Sequence, residues 1–363
     1  MRNLAIGVMS GTSLDGADAV LADISSHAPR CVAAAFAPFP SALKARLLAL
    51  CTPGADSLDE SGACSVALAD IYAEVVARLL ESAGVASSSV QAIGCHGQTV
   101  RHRPELGYTI QLNDAARLAD RTGIDVIADF RRRDVAAGGQ GAPLVPLFHD
   151  AVFRHESRHR VIVNIGGIGN ITSLRPGESV SGFDCGPGNV LMDTWVRRHR
   201  GKDFDEDGRW ASEGRVDQRI LASLMAEPFL AAPPPKSTGR ELFNVEWLGA
   251  RIGNHDTPAD VQATLLEFTS RTVVDAIDRY CGGCEEIYLC GGGARNRKLA
   301  ARIGEVAAPR PVHPTESLGV PSAHVEAMAF AWLAVKCIRR EAVHLMNVTG
   351  ARHPCILGAI YPA

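Results

Sequence analysis

Val161-Ile-Val-Asn-Ile-Gly-Gly-Ile-Gly-Asn-Ile-Thr-Ser-Leu174 reads as a buried strand, a glycine turn and a returning strand. The same form opens the chain. Residues 3–9, Asn3-Leu-Ala-Ile-Gly-Val-Met9, are strand-like, Ser10-Gly-Thr-Ser-Leu-Asp-Gly16 is a turn rich in hydroxyls and glycine, and Ala17 to Ile24 runs back. Two strand–glycine tip–strand units at the heads of two halves point to an internally duplicated α/β chain. Neither tip has the Gly-x-x-x-x-Gly-Lys-Ser/Thr pattern, and the second is not Gly-x-Gly-x-x-Gly, so P-loop and Rossmann readings both fail. The first tip offers backbone N–H groups, the hydroxyls of Ser10, Thr12 and Ser13, and the acids Asp15 and Asp18. Such a tip can hold phosphate oxygens, and a carboxylate there can hold Mg²⁺ directly or through water. The bland alternative is a polar hairpin loop.

Downstream of the second hairpin, Ser181-Gly-Phe-Asp-Cys-Gly-Pro-Gly-Asn189 reads as a strand end, one acid at Asp184 and a glycine–proline turn. A helix follows, ending in the basic run Arg197–Arg200 before Gly201, which suits a helix C-terminus. Asp184 either caps the turn or faces an anion gathered by the turn's N–H groups. Three further stretches carry polar groups at strand ends, where α/β sheets place ligand contacts. Gly94-Cys-His-Gly-Gln-Thr99 makes His96, Gln98 and Thr99 substrate candidates, with a buried, backbone-satisfied histidine as the competing reading of His96. Asp129-Phe-Arg-Arg-Arg-Asp134 precedes a glycine-rich loop, and an arginine there can grip a carboxylate or phosphate. Gly291-Gly-Gly-Ala-Arg-Asn296 lets a flat ligand such as adenine or ribose lie on backbone. Asn113 and Ser322 are expected to cap helices, and Pro233-Pro-Pro-Lys-Ser-Thr-Gly-Arg240 to form a rigid, polar surface segment at a domain edge. Glu326, near the start of the last long helix, is read from spacing alone as favouring the helix N-terminus.

With 363 residues the expectation is two domains, set at 1–128 and 129–342, with 343–363 returning to the first and the nucleotide site in the second. A net charge of −3 supplies no basic field for nucleic acid or an anionic membrane. The longest apolar run, near Met328 to Val335, is too short to span a bilayer, and no signal peptide is expected. Ten cysteines scattered through apolar context fit a reducing cytoplasm. Cys281-Gly-Gly-Cys284, the one close pair, has no second pair at zinc spacing.

Taken together, these features resemble the actin-like ATPase and sugar-kinase fold, and more narrowly the anhydro-N-acetylmuramic acid kinase family. The stretches that carry the resemblance span nearly the whole chain: Gly7 to Gly16, Gly97-Gln-Thr-Val-Arg101, Asp129 to Leu144, Asn164-Ile-Gly-Gly167, Phe183 to Asn189, Lys236 to Arg240, Cys290-Gly-Gly-Gly-Ala294 and Leu357 to Pro362. The resemblance implies a two-lobed ribonuclease H-like fold in duplicate, with an interdomain cleft. It implies a cytoplasmic enzyme, a homodimer, that takes ATP and Mg²⁺ and acts on a small amino sugar in cell-wall recycling. The expected reaction opens the 1,6-anhydro bridge of anhydro-N-acetylmuramic acid with water and phosphorylates the freed 6-oxygen. Another amino sugar or a small carboxylate as acceptor, or a non-enzymatic ATP clamp, are the alternatives.

The resemblance places the family's catalytic acid at Asp184, as the base for water, and raises Glu326 to a second carboxyl that orients the water or the sugar. Ser10, Gly11, Thr12, Ser13, Asp15, Gly16 and Asp18 with Gly166 and Gly167 are expected to clamp the phosphates, Asp15 also contacting the metal. Gly291, Gly292 and Gly293 are expected under the nucleoside, and His96, Gln98, Thr99 and Arg131 around the sugar and its lactyl carboxylate.

Overall fold

The computed structural model describes every residue except 1–2, 12, 27–28, 53, 55–57, 241 and 254–255. By internal contacts the chain divides into Met1–Val152 with His324–Ala363, and Phe153–Ala323. These divisions differ from the expected ones near 128 and 342. Helix Phe130–Ala136 packs on the strand Tyr108–Leu112, and helix Val325–Ile338 packs on strands of the N-terminal sheet.

The first unit holds β1 (Leu4–Met9), β2 (Gly16–Asp23), β3 (Arg30–Pro38), β4 (Val90–Cys95), β5 (Gln98–Arg103), β6 (Tyr108–Leu112) and β7 (Val126–Ala128). Its main sheet has the order C-terminal strand Ala359–Tyr361, β7, β4, β1, β2, β3, while β5 and β6 form a separate ribbon. β1–β2 and β2–β3 are antiparallel, and β1–β4 and β4–β7 are parallel. The second unit holds β8 (Arg160–Ile165), β9 (Ile168–Leu174), β10 (Ser181–Pro187), β11 (Glu286–Cys290) and β12 (Val312–Pro314), in the order β10-β9-β8-β11-β12. Here β8–β9 and β9–β10 are antiparallel, and β8–β11 and β11–β12 are parallel. Both units therefore run third, second, first, fourth, fifth strand with the same sense of pairing. The duplication read from two glycine tips is a duplication of whole sheets.

The composition of β1 explains how its helices pack. Leu-Ala-Ile-Gly-Val alternates large and small side chains before Met9, and every residue of the strand is buried. Leu4, Ile6 and Val8 share a core with Leu68, Tyr72, Val75 and Leu79 of helix Leu58–Ala83. On the other face the small residues are Ala5 and Gly7. Ala5 and Ala22 pack on Ala331 and Val335 of helix Val325–Ile338. Gly7 and its register partner Gly94 are so close to that helix that an added Cβ would lie 1.7 Å from the Ala327 carbonyl oxygen and 2.0 Å from that of Phe330. Period-two alternation on a strand thus fixes how closely the helix bearing Glu326 approaches the sheet.

In the second unit, β8 and β11 bury Val161, Val163, Ile165, Ile287 and Leu289 in one core with helices Val190–Arg200 and Pro258–Tyr280. Gly201, at φ 64°, ends the first of these helices as expected. Two capping expectations change. The cap of helix Ala115–Thr122 is Asp114, which accepts from Arg117 N–H at 3.0 Å, and not Asn113. Ser322 lies in a short 3₁₀ turn, gives its N–H and Oγ–H to Glu316, and leaves His324 at the cap position of helix Val325–Ile338. No helix among the described residues is long and apolar enough to cross a membrane.

Candidate active site

In the first unit, the sugar candidates and the first glycine tip form one hydrogen-bonded group. Ser10 is buried, and its Oγ lies 2.8 Å from the Tyr72 hydroxyl and donates to the Gly97 carbonyl at 3.1 Å. Gln98 Nε2 donates to the Gly11 carbonyl at 3.2 Å, and Thr99 Oγ1 accepts from Gln111 Nε2 at 3.2 Å. His96, only 5 % exposed, accepts at Nε2 from Arg131 Nε at 2.8 Å. Burial, and then the Arg131 guanidinium, hold the imidazole well below its usual pKa, so it is a neutral acceptor. The histidine is therefore held at Nε2 by a side chain, with the backbone at Gly97 and Ser10 also beside its ring, and it aims Arg131. Arg131 Nη1 is fixed in turn on the Gly141 carbonyl at 2.8 Å.

The loop that supplies Gly141 is itself pinned. Asp134, fully buried, accepts from Gly141 N–H at 2.7 Å and from Thr349 Oγ1 at 2.8 Å. Glu326 is half-buried in the first turn of its helix. Phe330, four residues on and so on the same helix face, packs its ring 4.8 Å from that of His96. Ser13 and Gly11 are half-buried, Gly16 is buried, and Asp18 is half-buried opposite Met9 of β1. Thr12 lies outside the described residues. Asp15 is half-exposed and pairs with Lys44 Nζ at 3.0 Å.

In the second unit, Gly166, Gly167, Asp184 and the Gly291–Gly293 turn are brought together by β8, β9, β10 and β11. The turn after Asp184 is bonded to the hairpin tip: Gly188 and Val190 give their N–H groups to the Gly167 carbonyl at 2.9 and 3.1 Å, and Asn189 gives its own to Gly166 at 2.8 Å. Pro187 has no N–H to give. Thr269 Oγ1 donates to the Pro187 and Gly188 carbonyls. These groups hold the turn, so the expected anion-collecting role of its N–H groups is not the one they fill. Gly291, at φ 82°, would bring a Cβ 2.3 Å from Asn164 Oδ1, and Gly293 one 2.3 Å from Ile165 Cγ2. Gly292 is exposed, with only Asn189 Nδ2 near its added Cβ, at 3.9 Å. Two glycines of the triplet serve packing and one presents bare backbone.

Asp184 is half-buried on β10, beside a bulge between Asp184 and Gly186. Bulges of this kind re-aim side chains next to active sites. Lys236-Ser-Thr238 lies along the strand there. Asp184 N–H donates to the Lys236 carbonyl at 3.1 Å, and Thr238 N–H donates to Asp184 Oδ2 at 3.0 Å. Lys236 is 8 % exposed, sits over the rings of Phe229 and Tyr280, and donates Nζ to the Phe229 and Leu230 carbonyls at 3.2 and 3.1 Å. The segment is at the surface as expected, with Ser237 and Arg240 exposed, except that Lys236 is buried and Thr238 N–H reaches the acid. The Cys185 thiol is pushed up to about 12 by burial and by the Asp184 charge, and donates to the Gly169 carbonyl at 3.2 Å. Cys281 and Cys284 are likewise buried free thiols, pushed up to about 12 and about 11 by burial.

No group of three or more His, Cys, Asp or Glu among the described residues is arranged to hold a metal ion. Magnesium commonly takes one or two carboxylates and otherwise water and nucleotide phosphate. Asp15, exposed and already paired with Lys44, suits a contact through water and not a direct one.

A ribonuclease H-like sheet present twice, each copy headed by a glycine-tipped hairpin, defines the actin-like ATPase and sugar-kinase class. The match extends to a particular branch. The model of the anhydro-N-acetylmuramic acid kinase family covers residues 3–363, and the chain belongs to that family. The anhydro-N-acetylmuramic acid kinase of Bordetella petrii is 55% identical over 368 residues, covering 99% of this chain and 96% of that protein. That of Chromobacterium violaceum is 51% identical over 366 residues, covering 100% of both. Likenesses among solved structures are remote. A ROK family glucokinase from Streptomyces griseus in complex with glucose and AMPPNP is 14% identical at a TM-score of 0.43, covering 91% of this chain and 99% of that one.

Proposed function

We propose that this chain is an anhydro-N-acetylmuramic acid kinase that opens the 1,6-anhydro bridge of its sugar with water. It then transfers the γ-phosphoryl group of ATP to the freed 6-oxygen, giving N-acetylmuramic acid 6-phosphate and ADP. Family membership over the full length supplies the substrate. The observation that carries the chemistry is the held carboxylate of Asp184, fixed by Thr238 N–H on a bulged strand whose turn is bonded to a glycine hairpin tip.

In this reading Asp184 is the base. It takes a proton from water as the water oxygen attacks the anomeric carbon, and the bridging C–O bond breaks. The 6-oxygen attacks the γ-phosphorus, and ADP leaves. Phosphoryl capture of that oxygen replaces the usual protonation by a general acid. Glu326, on the face shared with Phe330, orients the water or sugar. Arg131, held by His96 and Gly141, takes the lactyl carboxylate, while Gln98 and Thr99 contact the sugar ring. The Ser10–Gly16 tip with Asp18, and Gly166 and Gly167, clamp the phosphates. The exposed backbone at Gly292 receives the nucleoside. Asp15 would help to hold Mg²⁺ through water, and the ion would supply neutralisation of phosphate charge. The acting form is a cytoplasmic homodimer.

Mass spectrometry of the product made in ¹⁸O-labelled water tests the reaction: one ¹⁸O on the anomeric hydroxyl and one added phosphate are expected. Asp184→Asn is expected to abolish product while ATP still binds by calorimetry. Product formed by that variant at a near-normal rate removes Asp184 as the base.

A further inference from the structure

Asn164 on β8, Asn170 on β9 and Asp184 on β10 are register partners. Directly opposed residues of antiparallel strands project to one face, with Cβ atoms roughly 4.5–5.5 Å apart. One face of the sheet thus carries two carboxamides and a carboxylate in a row. Asn164 is buried, with the Cys290 thiol 3.9 Å from its Oδ1. Asn170 and Asp184 are half-buried. The Oδ1 of Asn170 is buried and has no hydrogen-bond partner.

A buried acceptor without a donor is costly, and each such group in a folded protein needs a reason. The neighbour of Asn170 in the row is a carboxylate, which also only accepts. Two adjacent acceptors repel unless one molecule donates to both, and water carries two hydrogens for that purpose.

We propose that Asn170 is a positioning residue for the water that Asp184 activates. The inference rests on the reading of Asp184 as base. One O–H of the water points at the Asp184 carboxylate and the other at Asn170 Oδ1, which turns a lone pair of the oxygen toward the sugar. In the step that follows, the first O–H bond breaks and its proton goes to Asp184. The new bond forms between the water oxygen and the anomeric carbon, and the bridging oxygen leaves with the electron pair of the broken C–O bond. The second hydrogen stays on the oxygen as the anomeric hydroxyl. Asn170 exchanges no proton.

The test uses the full-length enzyme with Asn170→Leu, which keeps the shape and removes the acceptor, and Asn170→Ser, which restores one. For Asn170→Leu, kcat is expected to fall about 10²-fold with the KM for ATP within about twofold. Its thermal midpoint is expected to be unchanged or higher, because the unpaired acceptor is gone. Asn170→Ser is expected to recover part of kcat. A Leu variant with kcat within about threefold of the parent overturns the proposal, as does loss of kcat that tracks a fallen midpoint in both variants. Asp184→Asn run alongside separates the two readings. If it is inactive and Asn170→Leu is normal, only the role of Asn170 fails; if Asp184→Asn is active, the base assignment itself fails.

Discussion

Thr238 donates its backbone N–H to Oδ2 of Asp184 at 3.0 Å, across 54 residues of chain. The donor is fixed because Lys236, two residues before it, is buried over Phe229 and Tyr280 with its ammonium on two carbonyls. Burial lowers the pKa of that ammonium, so the charge is kept at a cost to the fold. A buried charge with a local job points to positioning of the acid.

Lys236→Met keeps the apolar stem between the rings and removes the anchor. Steady-state kinetics are expected to show kcat lowered about tenfold, with the KM for ATP little changed, because the carboxylate loses its fixed direction. A kcat equal to the parent's would mean that Asp184 needs no help from this segment.

The small face of β1 is equally open to trial. An alanine at Gly7 would put Cβ 1.7 Å from the Ala327 carbonyl, which backbone cannot yield without moving the helix that bears Glu326. Gly7→Ala is expected to cost about 3 kcal/mol in urea unfolding, at the upper end for overpacking, and to lower kcat in the protein that remains folded. Full activity and stability would show that the helix has slack at this point.

The glycine triplet separates packing from binding. Gly293→Ala meets Ile165 at 2.3 Å and is expected to destabilise the second unit. Gly292→Ala meets almost nothing, so it is expected to leave the thermal midpoint in place while raising the KM for ATP about tenfold, since the side chain would lie where the nucleoside is proposed to rest. Equal KM values for parent and Gly292→Ala would move the nucleoside elsewhere.

Acid should unfold the first unit through its buried histidines. Burial lowers His149 from 6.5 to about 3, and burial with Arg131 lowers His102 to about 4. The unfolded chain takes up these protons below about pH 6.5 and the folded chain does not. Stability is therefore whole above that value and declines as the pH falls toward 3. Thermal midpoints measured from pH 7 to pH 4 are expected to fall steadily, and His149→Leu is expected to flatten the slope. An unchanged slope in that variant would assign the acid lability to other groups.

Local pattern alone settled a good deal. Glycine tips between apolar runs mark hairpins because only short, permissive residues close such turns, and two of them foretold a duplicated sheet. Gly201 was legible as a helix end for the same local reason. His96 and Gln98 were legible as polar groups at a strand end, though their burial beside the Gly11 tip and Arg131 was not. What sequence left open was decided by contacts between residues far apart in the chain. The turn after Asp184 has its N–H groups taken by Gly166 and Gly167, which no reading of Gly186-Pro-Gly188 by itself reveals. The caps at Asn113 and Ser322 went to neighbours, because a residue or two of shift costs the local pattern nothing. Lys236-Ser-Thr238 read as surface because its composition is polar, yet Lys236 is buried and two hydrogen bonds hold the stretch beside the acid. The row of Asn164, Asn170 and Asp184 exists only in the register of three strands. Periodicity reports which face a residue takes on its own strand, while only tertiary pairing decides which residue of another strand stands beside it.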